Sequence, residues 1–313
     1  DAALIPAVDS PRRGFVRTAA SSSKGLRMST IRWCSASLLS LLSTLVLTAS
    51  SYGADAETSE AWKAGVASVK ITPSEMTWMA GYAARTKPAE SVAQDLFAKA
   101  LALEDASGHR LVIVTTDLIG IPRRLREDLV AAAYEHHGLP AERLLLNASH
   151  THCGPELLTT AASEYGLDPA RVAIGRKYLG ELRQKLIDVI ARSIEDLSPA
   201  TLTYSHARAG FAMNRRLPTT EGVQNSPYPD GPVDHDVPVL QVRGIESDKP
   251  GGLRAVLFGY ACHNTTLGFQ QFCGDYAGYA QAHLEELHPG APTTFLMGCG
   301  AAQKTSSTAA LSL

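Results

Sequence analysis

Three histidines follow directly after two apolar, strand-like stretches of the chain. His150 and His152 come after RLLLNA (143–148), and His263 comes after LRAVLFGYA (253–261). Two histidines separated by one residue point the same way on an extended backbone, so both can face one site. Imidazole is a common zinc ligand. The spacing predicts a metal site, and the alternative is a group of hydrogen-bonded structural histidines at strand ends.

Other polar residues lie near strand ends or loops. Asp117 follows the stretch RLVIVTT (110–116); a helix N-cap is its simplest role, with a metal ligand or a network partner as alternatives. Cys262 and Cys273 flank a short loop that a disulfide can close, and buried free thiols are the alternative. The sequence contains no Gly-x-Ser-x-Gly elbow, phosphate-binding glycine-rich loop or nucleotide fingerprint, which disfavours those enzyme classes.

The elements that position these residues alternate between strand-like and helix-like segments. Hydrophobic periodicity predicts strands at 97–103, 110–116, 143–148, 200–206, 253–261 and 293–297, and helices at 123–137, 175–197 and 276–287. This alternation predicts an α/β fold with a mixed, largely parallel sheet flanked by helices. Ligands of such sheets bind beyond the carboxyl ends of the strands, where the histidines lie. Residues 216–236, rich in Pro, Gly and Asp, are predicted to form a long loop.

Composition places the chain among globular proteins. Its 313 residues are 45% hydrophobic and 19% charged, and 29 Lys and Arg against 31 Asp and Glu give a net charge of −2. This balance gives no support for nucleic-acid binding, which usually shows as a basic stripe, so we expect no nucleic-acid partner. Five cysteines in a chain of this length also exclude a small disulfide-stapled scaffold.

The first 55 residues have the pattern of an export signal. Residues 28–55 contain a short segment with Arg32, an apolar run from Leu38 to Leu47, and small residues at 49–51. The run is roughly half the length of a membrane span, so we expect no transmembrane helix in the mature chain. The pattern predicts a periplasmic or extracellular protein, with a disordered leader as the alternative. Residues 1–27 are interpreted as an unstructured leader or as sequence preceding the true start.

A series of spaced motifs carries a family resemblance. The motifs are Gly65-Val66-Ala67, Lys70-Ile71-Thr72-Pro73, Ala80-Gly81-Tyr82, the segments 95–101 and 148–155, Asn214-Arg215-Arg216, and the segments 259–263 and 275–279. Together they resemble the neutral/alkaline, non-lysosomal ceramidase family, and most of all its divergent bacterial branch. The similarity covers residues 60–300, which the resemblance identifies as part of the family's N-terminal catalytic domain.

The resemblance implies a function and a set of site residues. The family hydrolyses the amide bond of N-acylsphingosine with one zinc ion, held by two His, a Glu and a Tyr. His150 and His263 match the two histidine ligands, and His152 matches a second catalytic histidine. Arg215 lies in the matching catalytic Asn-Arg motif, and Gly81 lies in a strip beside the substrate. The expected partner is a small lipid or amide substrate, which also allows peripheral contact with a membrane surface.

The sequence departs from the family pattern after Gly298-Cys299-Gly300. Residues 301–313 form a tail rich in small residues, and the family's Glu and Tyr ligands lie farther downstream than this segment. With two of four ligands present, we expect a truncated domain that binds zinc weakly and hydrolyses little ceramide. The alternatives are a zinc hydrolase of the same fold acting on another amide or ester, or a non-catalytic fragment. If the chain does hold zinc, Asp275 and Tyr279 are the first further ligands to test.

Overall fold

The chain folds around one large sheet. The computed structural model describes residues 62–157, 167–246 and 249–306. The strands are β1 (Trp62–Lys70), β2 (Ser91–Val92), β3 (Phe97–Glu104), β4 (Arg110–Thr116), β5 (Leu144–Ala148), β6 (Ser198–Arg208), β7 (Ala212–Thr219), β8 (Gly222–Tyr228), β9 (Asp236–Glu246), β10 (Lys249–Tyr260), β11 (Gln271–Phe272), β12 (Thr293–Met297) and β13 (Gln303–Thr305). The helices are α1 (Arg123–His137), α2 (Pro169–Glu195) and α3 (Asp275–Leu287). The predicted leader and signal peptide lie outside the described residues.

The predicted mixed sheet with flanking helices is confirmed, but its strands are mostly antiparallel. Eight strands pair in the order β12-β10-β9-β6-β1-β3-β4-β5. Within this sheet β4–β5 and β10–β12 are parallel, and the other neighbours are antiparallel. The expectation of a largely parallel sheet was wrong because only a few residues separate β3 from β4 and β9 from β10, and connections that short allow only antiparallel pairing.

The two parallel pairs are the crossover units of the fold. Helix α1 connects β4 to β5, and helix α3 lies on the connection from β10 to β12. Parallel strands need such a crossover, usually through a helix. The predicted His-bearing turns therefore follow the second strand of one unit (β5) and the first strand of the other (β10). Both turns lie at carboxyl ends of parallel strands, as the sequence predicts.

Each face of the sheet packs on its own apolar cluster. Helices α1 and α2 cover one face, where Leu129 of α1 and Leu182 and Leu186 of α2 are fully buried against β1, β3 and β4. The other face buries a second cluster that includes Leu101 of β3, Val242 of β9 and Leu257 of β10. Burial on both faces explains the near-continuous apolar sequence of β3.

The two edge strands of the sheet approach each other. Asn147 of β5 donates from Nδ2 to the carbonyl of Met297 in β12 at 3.1 Å, and its Oδ1 accepts from the Met297 amide at 2.9 Å. The Asn147 side-chain amide therefore makes the pair of hydrogen bonds with Met297 that the backbone of a neighbouring strand would make. It joins β5 and β12, the first and last strands in the pairing order. The sheet curls until its ends meet at this residue.

The predicted bounds are correct for α1 but not for the start of α2. Helix α1 has the predicted bounds and ends at Gly138, whose φ of 62° is the left-handed conformation that glycine favours. Helix α2 begins before the predicted position 175, at Pro169, with the Asp168 side chain accepting from the Ala170 amide. None of the helices within the described ranges combines the length and the hydropathy that a membrane span requires.

The predicted loop 216–236 is largely a hairpin. Strands β7 and β8 pair antiparallel, and β13 pairs on the other side of β7 to form a three-stranded sheet. Strand β8 is mostly exposed and polar, so it has no apolar alternation to reveal it. Residues 303–305, assigned above to the tail, supply β13 and pair with Asn214 and its neighbours.

Candidate metal centre

His150 is held in a fixed orientation by the turn after β5. Its φ of 61° is left-handed, which turns the chain sharply at the end of the strand. Its backbone amide donates to the carbonyl of Leu118 at 2.9 Å, and its Nδ1 donates to the carbonyl of Ile119 at 2.6 Å. A backbone carbonyl can only accept, so Nδ1 carries a proton, and the lone pair of the neutral ring is on Nε2. This is the arrangement of a metal-binding histidine.

His152 is held by a loop that the sequence motif Ala80-Gly81-Tyr82 supplies. Arg85 Nη2 donates to the His152 carbonyl at 2.9 Å, and the Tyr82 ring lies edge-on to the His152 ring at 4.9 Å between centroids. Gly81 has a φ of 99°, and a Cβ there would lie 2.3 Å from His152 Cγ. Only glycine leaves room for this imidazole. The sequence placed Gly81 near the site, and the structure brings it into contact with His152.

His263 comes from the turn after β10, which lies next to the edge strand β12 at the other end of the strand order. Its backbone amide donates to the Gln303 carbonyl at 3.0 Å, which ties the turn after β10 to β13. Arg215 of β7 brings its Nη2 to 3.2 Å from His263 Nδ1, and its Nε donates to the Ala301 carbonyl at 3.1 Å. The hairpin that sequence analysis had assigned to a loop therefore carries Arg215 to the histidines.

The three imidazoles converge on one point. His150 Nε2 lies 3.1 Å from His263 Nε2 and 3.3 Å from His152 Nε2. One ligand atom from each of the three residues lies within 4.8 Å of the other two. Ligand atoms about 2.0–2.1 Å from a tetrahedral zinc lie about 3.3 Å apart, so the residues present fit such an ion. The 3.1 Å between the Nε2 atoms of His150 and His263 is close to this spacing.

Burial and nearby positive charge favour the neutral forms of His152 and His263. Burial, followed by the nearby His150 and Arg215, lowers the pKa of His152 to about 4. Burial and then the Arg215 guanidinium likewise lower the pKa of His263 to about 4. Neutral imidazole is the form that binds metal. His152 Nδ1 is buried and has no hydrogen-bond partner among the described residues.

Open space lies beside the cluster. A cavity of about 230 Å³ is lined by Ala148, His150, His263 and residues 297–301. A second cavity of about 370 Å³ shares residues 297–299 with it and extends over the inner face of the curled sheet past Leu145 and Leu296. A small molecule can therefore reach the histidines from the concave side of the sheet.

The carboxylates considered from the sequence have other roles. Asp275 accepts from the backbone amides of Thr266, Leu267 and Tyr276, at 3.1, 2.9 and 2.6 Å, so its oxygens are occupied in shaping the loop before α3. Asp117 is a network partner, accepting from the Phe97 amide and Gln281 Nε2, and the N-cap of α1 is Pro122. Within the described residues the metal-type cluster contains histidines alone.

Sequence reasoning missed the residues that hold the histidines in place. Arg85 and Tyr82 fix His152, and Asn147 joins the edges of the sheet beside His150. The Gly81-Tyr82 motif was visible, but nothing in local spacing connects it to a histidine in a distant part of the chain. Local sequence patterns predict where a strand ends. They do not predict contacts between segments that are distant in sequence, because those contacts depend on tertiary packing.

The chain is similar in sequence to a known protein family. A family sequence model described as neutral/alkaline non-lysosomal ceramidase, N-terminal, matches residues 62–305. The chain belongs to this family. A search of curated proteins found no match.

Two solved structures share the fold. The crystal structure of neutral ceramidase from Pseudomonas aeruginosa is 23% identical with a TM-score of 0.65, and the match covers 79% of this chain and 40% of that chain. A ceramidase complexed with C2 is 24% identical with a TM-score of 0.65, and the match covers 79% of this chain and 39% of that one. The chain therefore spans about two fifths of the length of these relatives.

Proposed function

We propose that this domain provides the metal-binding half of the active site of a zinc-dependent amide hydrolase acting on N-acylsphingosine. The observation that carries the proposal is the convergence of three imidazoles from two crossover units, beside an open cavity. Family membership and the ceramidase fold support the hydrolase class and the lipid substrate. The ceramidase solved in complex with C2 supports a small-molecule ligand for this fold.

His150 and His263 are the proposed zinc ligands. The Nδ1 of His150 is already committed to the Ile119 carbonyl, which leaves its Nε2 free to bind. A bound zinc ion would supply Lewis acidity toward a carbonyl oxygen. The third imidazole, His152, completes the cluster, and its proposed role is proton transfer.

The remaining chemistry belongs to side chains of this chain. His152 Nε2 would accept a proton from the attacking water and pass it to the amide nitrogen, releasing sphingosine and a fatty acid. Arg215 would donate to the substrate carbonyl oxygen as negative charge develops there. The guanidinium is held for this by the Ala301 carbonyl, and it reaches the same imidazoles.

Zinc content and ceramide turnover test the proposal. We expect the purified protein to bind zinc in isothermal titration, with the His150→Ala variant losing at least tenfold in affinity because one of the converging nitrogens is removed. His283→Ala is the matched control, since His283 is exposed on α3, outside the cluster. Equal zinc binding by both variants would contradict the assignment.

Substrate class is tested separately with the same preparation. We expect slow release of fatty acid from a fluorescent N-acylsphingosine, in line with the weak activity expected from the sequence, and a further loss of about 100-fold or more in His152→Ala. Turnover of other amides or esters without ceramide would support the alternative hydrolase of the same fold. Zinc binding without turnover of any of these substrates would identify a non-catalytic binding domain.

A further inference from the structure

Two buried cysteines lie side by side behind the candidate metal centre. Cys153 follows His152 directly, and Cys273 precedes the loop into α3; both residues are completely buried. The Cys273 amide donates to the Cys153 carbonyl at 3.0 Å, and Thr151 Oγ1 donates to the Cys273 carbonyl at 3.0 Å. One backbone hydrogen bond and one from a side-chain hydroxyl thus fix one segment against the other.

The side chains of the pair also meet. The neighbouring Cys153 thiol raises the pKa of the Cys273 thiol, as expected for two side chains that lie close together, and Cys153 Sγ itself donates to the Leu267 carbonyl at 3.5 Å. Residues joined by a direct amide-to-carbonyl bond have Cα atoms about 5–6 Å apart, which is the usual range for disulfides. Cys262, the partner expected from the sequence, directs its thiol to the His263 carbonyl at 3.8 Å instead.

We propose that Cys153 and Cys273 form a disulfide that fastens the histidine-bearing turn to the segment before α3. The inference goes beyond the proposed function, because it rests on the packing of the thiols and not on catalysis. The expected co-reactant is a small-molecule disulfide such as oxidised glutathione. The Arg85 guanidinium, 3.9 Å from Cys153 Sγ, favours the negative sulfur of the attacking residue.

The exchange balances in two steps. The Cys153 sulfur loses its proton, attacks the donor disulfide and releases one thiol, which leaves a mixed disulfide on Cys153. The Cys273 sulfur then loses its proton and attacks the Cys153 sulfur, releasing the second thiol. Two electrons pass from the cysteine pair to the donor, and two molecules of reduced thiol leave.

Peptide mapping of the full chain tests the connectivity. Because these cysteines are buried in the folded protein, the chain is reduced in urea and refolded with oxidised glutathione, free thiols are alkylated in urea, and the product is digested with chymotrypsin without reduction. Cleavage after Phe272 separates Cys273 from Cys262. We expect one linked pair of peptides carrying Cys153 and Cys273, with Cys262 and Cys299 alkylated. A link from Cys273 to Cys262, or alkylation of both Cys153 and Cys273, would overturn the proposal.

Thermal unfolding provides an independent readout. The crosslink would close a loop of about 120 residues, so oxidation should raise the unfolding midpoint by about 5–10 °C. The Cys262→Ser variant, which alters a buried thiol outside the pair, should keep this oxidation-dependent rise. The Cys273→Ser variant should show no rise in its unfolding midpoint on oxidation, even if the substitution itself changes that midpoint. An equal rise in Cys273→Ser, or no rise in the native sequence, would contradict the assignment.

Discussion

At the scale of single residues, the site depends on how closely its neighbours approach the imidazoles. Gly81 contacts the His152 ring where any side chain would clash, and the Ile119 carbonyl fixes the protonated nitrogen of His150. Neither residue binds a ligand itself. Both determine where the converging nitrogens point, which is what metal affinity depends on.

Replacing Gly81 tests this packing. Gly81→Ala places a Cβ 2.3 Å from His152 Cγ, so the imidazole must move, and we expect zinc affinity to fall at least tenfold. Gly108→Ala is the matched control: Gly108 also has a left-handed φ, 81°, but nothing lies within 4 Å of its added Cβ. Both variants share a backbone strain of about 1–2 kcal/mol. Equal zinc affinities in the two would show that the contact is unimportant.

A buried carboxylate predicts a pH dependence of stability. Glu104 accepts from Lys63 Nζ at 2.9 Å and Arg110 Nε at 2.5 Å, and these hydrogen bonds lower the pKa of Glu104. A lowered carboxyl pKa stabilises the fold above the unfolded-state pKa, near 4.3, and this stability is lost as pH falls through the lower folded-state value.

The Glu104→Gln variant isolates this contribution. We expect its free energy of unfolding to be about 1 kcal/mol lower than that of the native sequence at pH 7, with the difference shrinking as the pH falls below 4. Urea unfolding at several pH values measures it. Glu75→Gln removes an exposed pair with Lys177 and should change little at any pH. A difference that does not depend on pH would contradict the ion-pair explanation.

At the scale of elements, the sequence predicted strands and helices better than it predicted their pairing. The bounds of α1, β4 and β12 agree because an apolar run is flanked by clear stop signals such as Gly138. Whether two strands pair parallel or antiparallel depends on the length of the segment that connects them. Hydrophobic periodicity carries no information on pairing direction, so the predicted sheet was more parallel than the observed one. The hairpin of β7 and β8 was missed because its exposed residues are polar and interrupted by proline.

The candidate site was predictable in part for the same reason. Strand ends and residue types identified His150, His152 and His263, because ligands gather beyond the carboxyl ends of parallel strands. The roles of Arg85 and Asp275 were not predictable, since each acts through contacts with segments distant in the chain.

The contact between edge strands also leads to a prediction. Asn147→Ala removes both hydrogen bonds to Met297 and leaves that residue's amide and carbonyl without these partners. We expect a loss of about 1–3 kcal/mol in the free energy of unfolding. Asn225→Ala, on the exposed side of β8, is the control and should be within about 0.5 kcal/mol of the native sequence. Matching urea midpoints for the two variants would show that Asn147 does not join the edges.

At the scale of the whole molecule, export remains a prediction. Residues 28–55 carry the three-part pattern of a signal peptide, and we propose a mature start between Ala49 and Glu57. N-terminal sequencing of secreted material measures the start directly. Replacing Leu42 and Leu45 with Asp should keep the protein inside the cell by breaking the apolar run, whereas Ser21→Asp, outside that run, should not. Secreted protein that still begins at Asp1 would contradict the proposal.

The position of the histidines on two crossover units has a consequence for folding kinetics. His150 and His263 lie 113 residues apart in sequence; His150 follows the edge strand β5, and His263 follows β10, next to the other edge strand. Contacts of such large sequence separation form late, because a long loop must close first. A metal at this centre can bind tightly only after the curled sheet is complete, so it stabilises the native state more than the folding transition state.

Stopped-flow unfolding in urea measures this effect. We expect zinc to slow unfolding at least tenfold relative to protein treated with a chelator, while the refolding rate changes by less than about twofold. His150→Ala should unfold at the same rate with and without zinc. Zinc that accelerated refolding and left unfolding unchanged would mean that the centre forms early. From the fold we expect the metal to bind only after the sheet has assembled. Bound metal would then lengthen the lifetime of the native state.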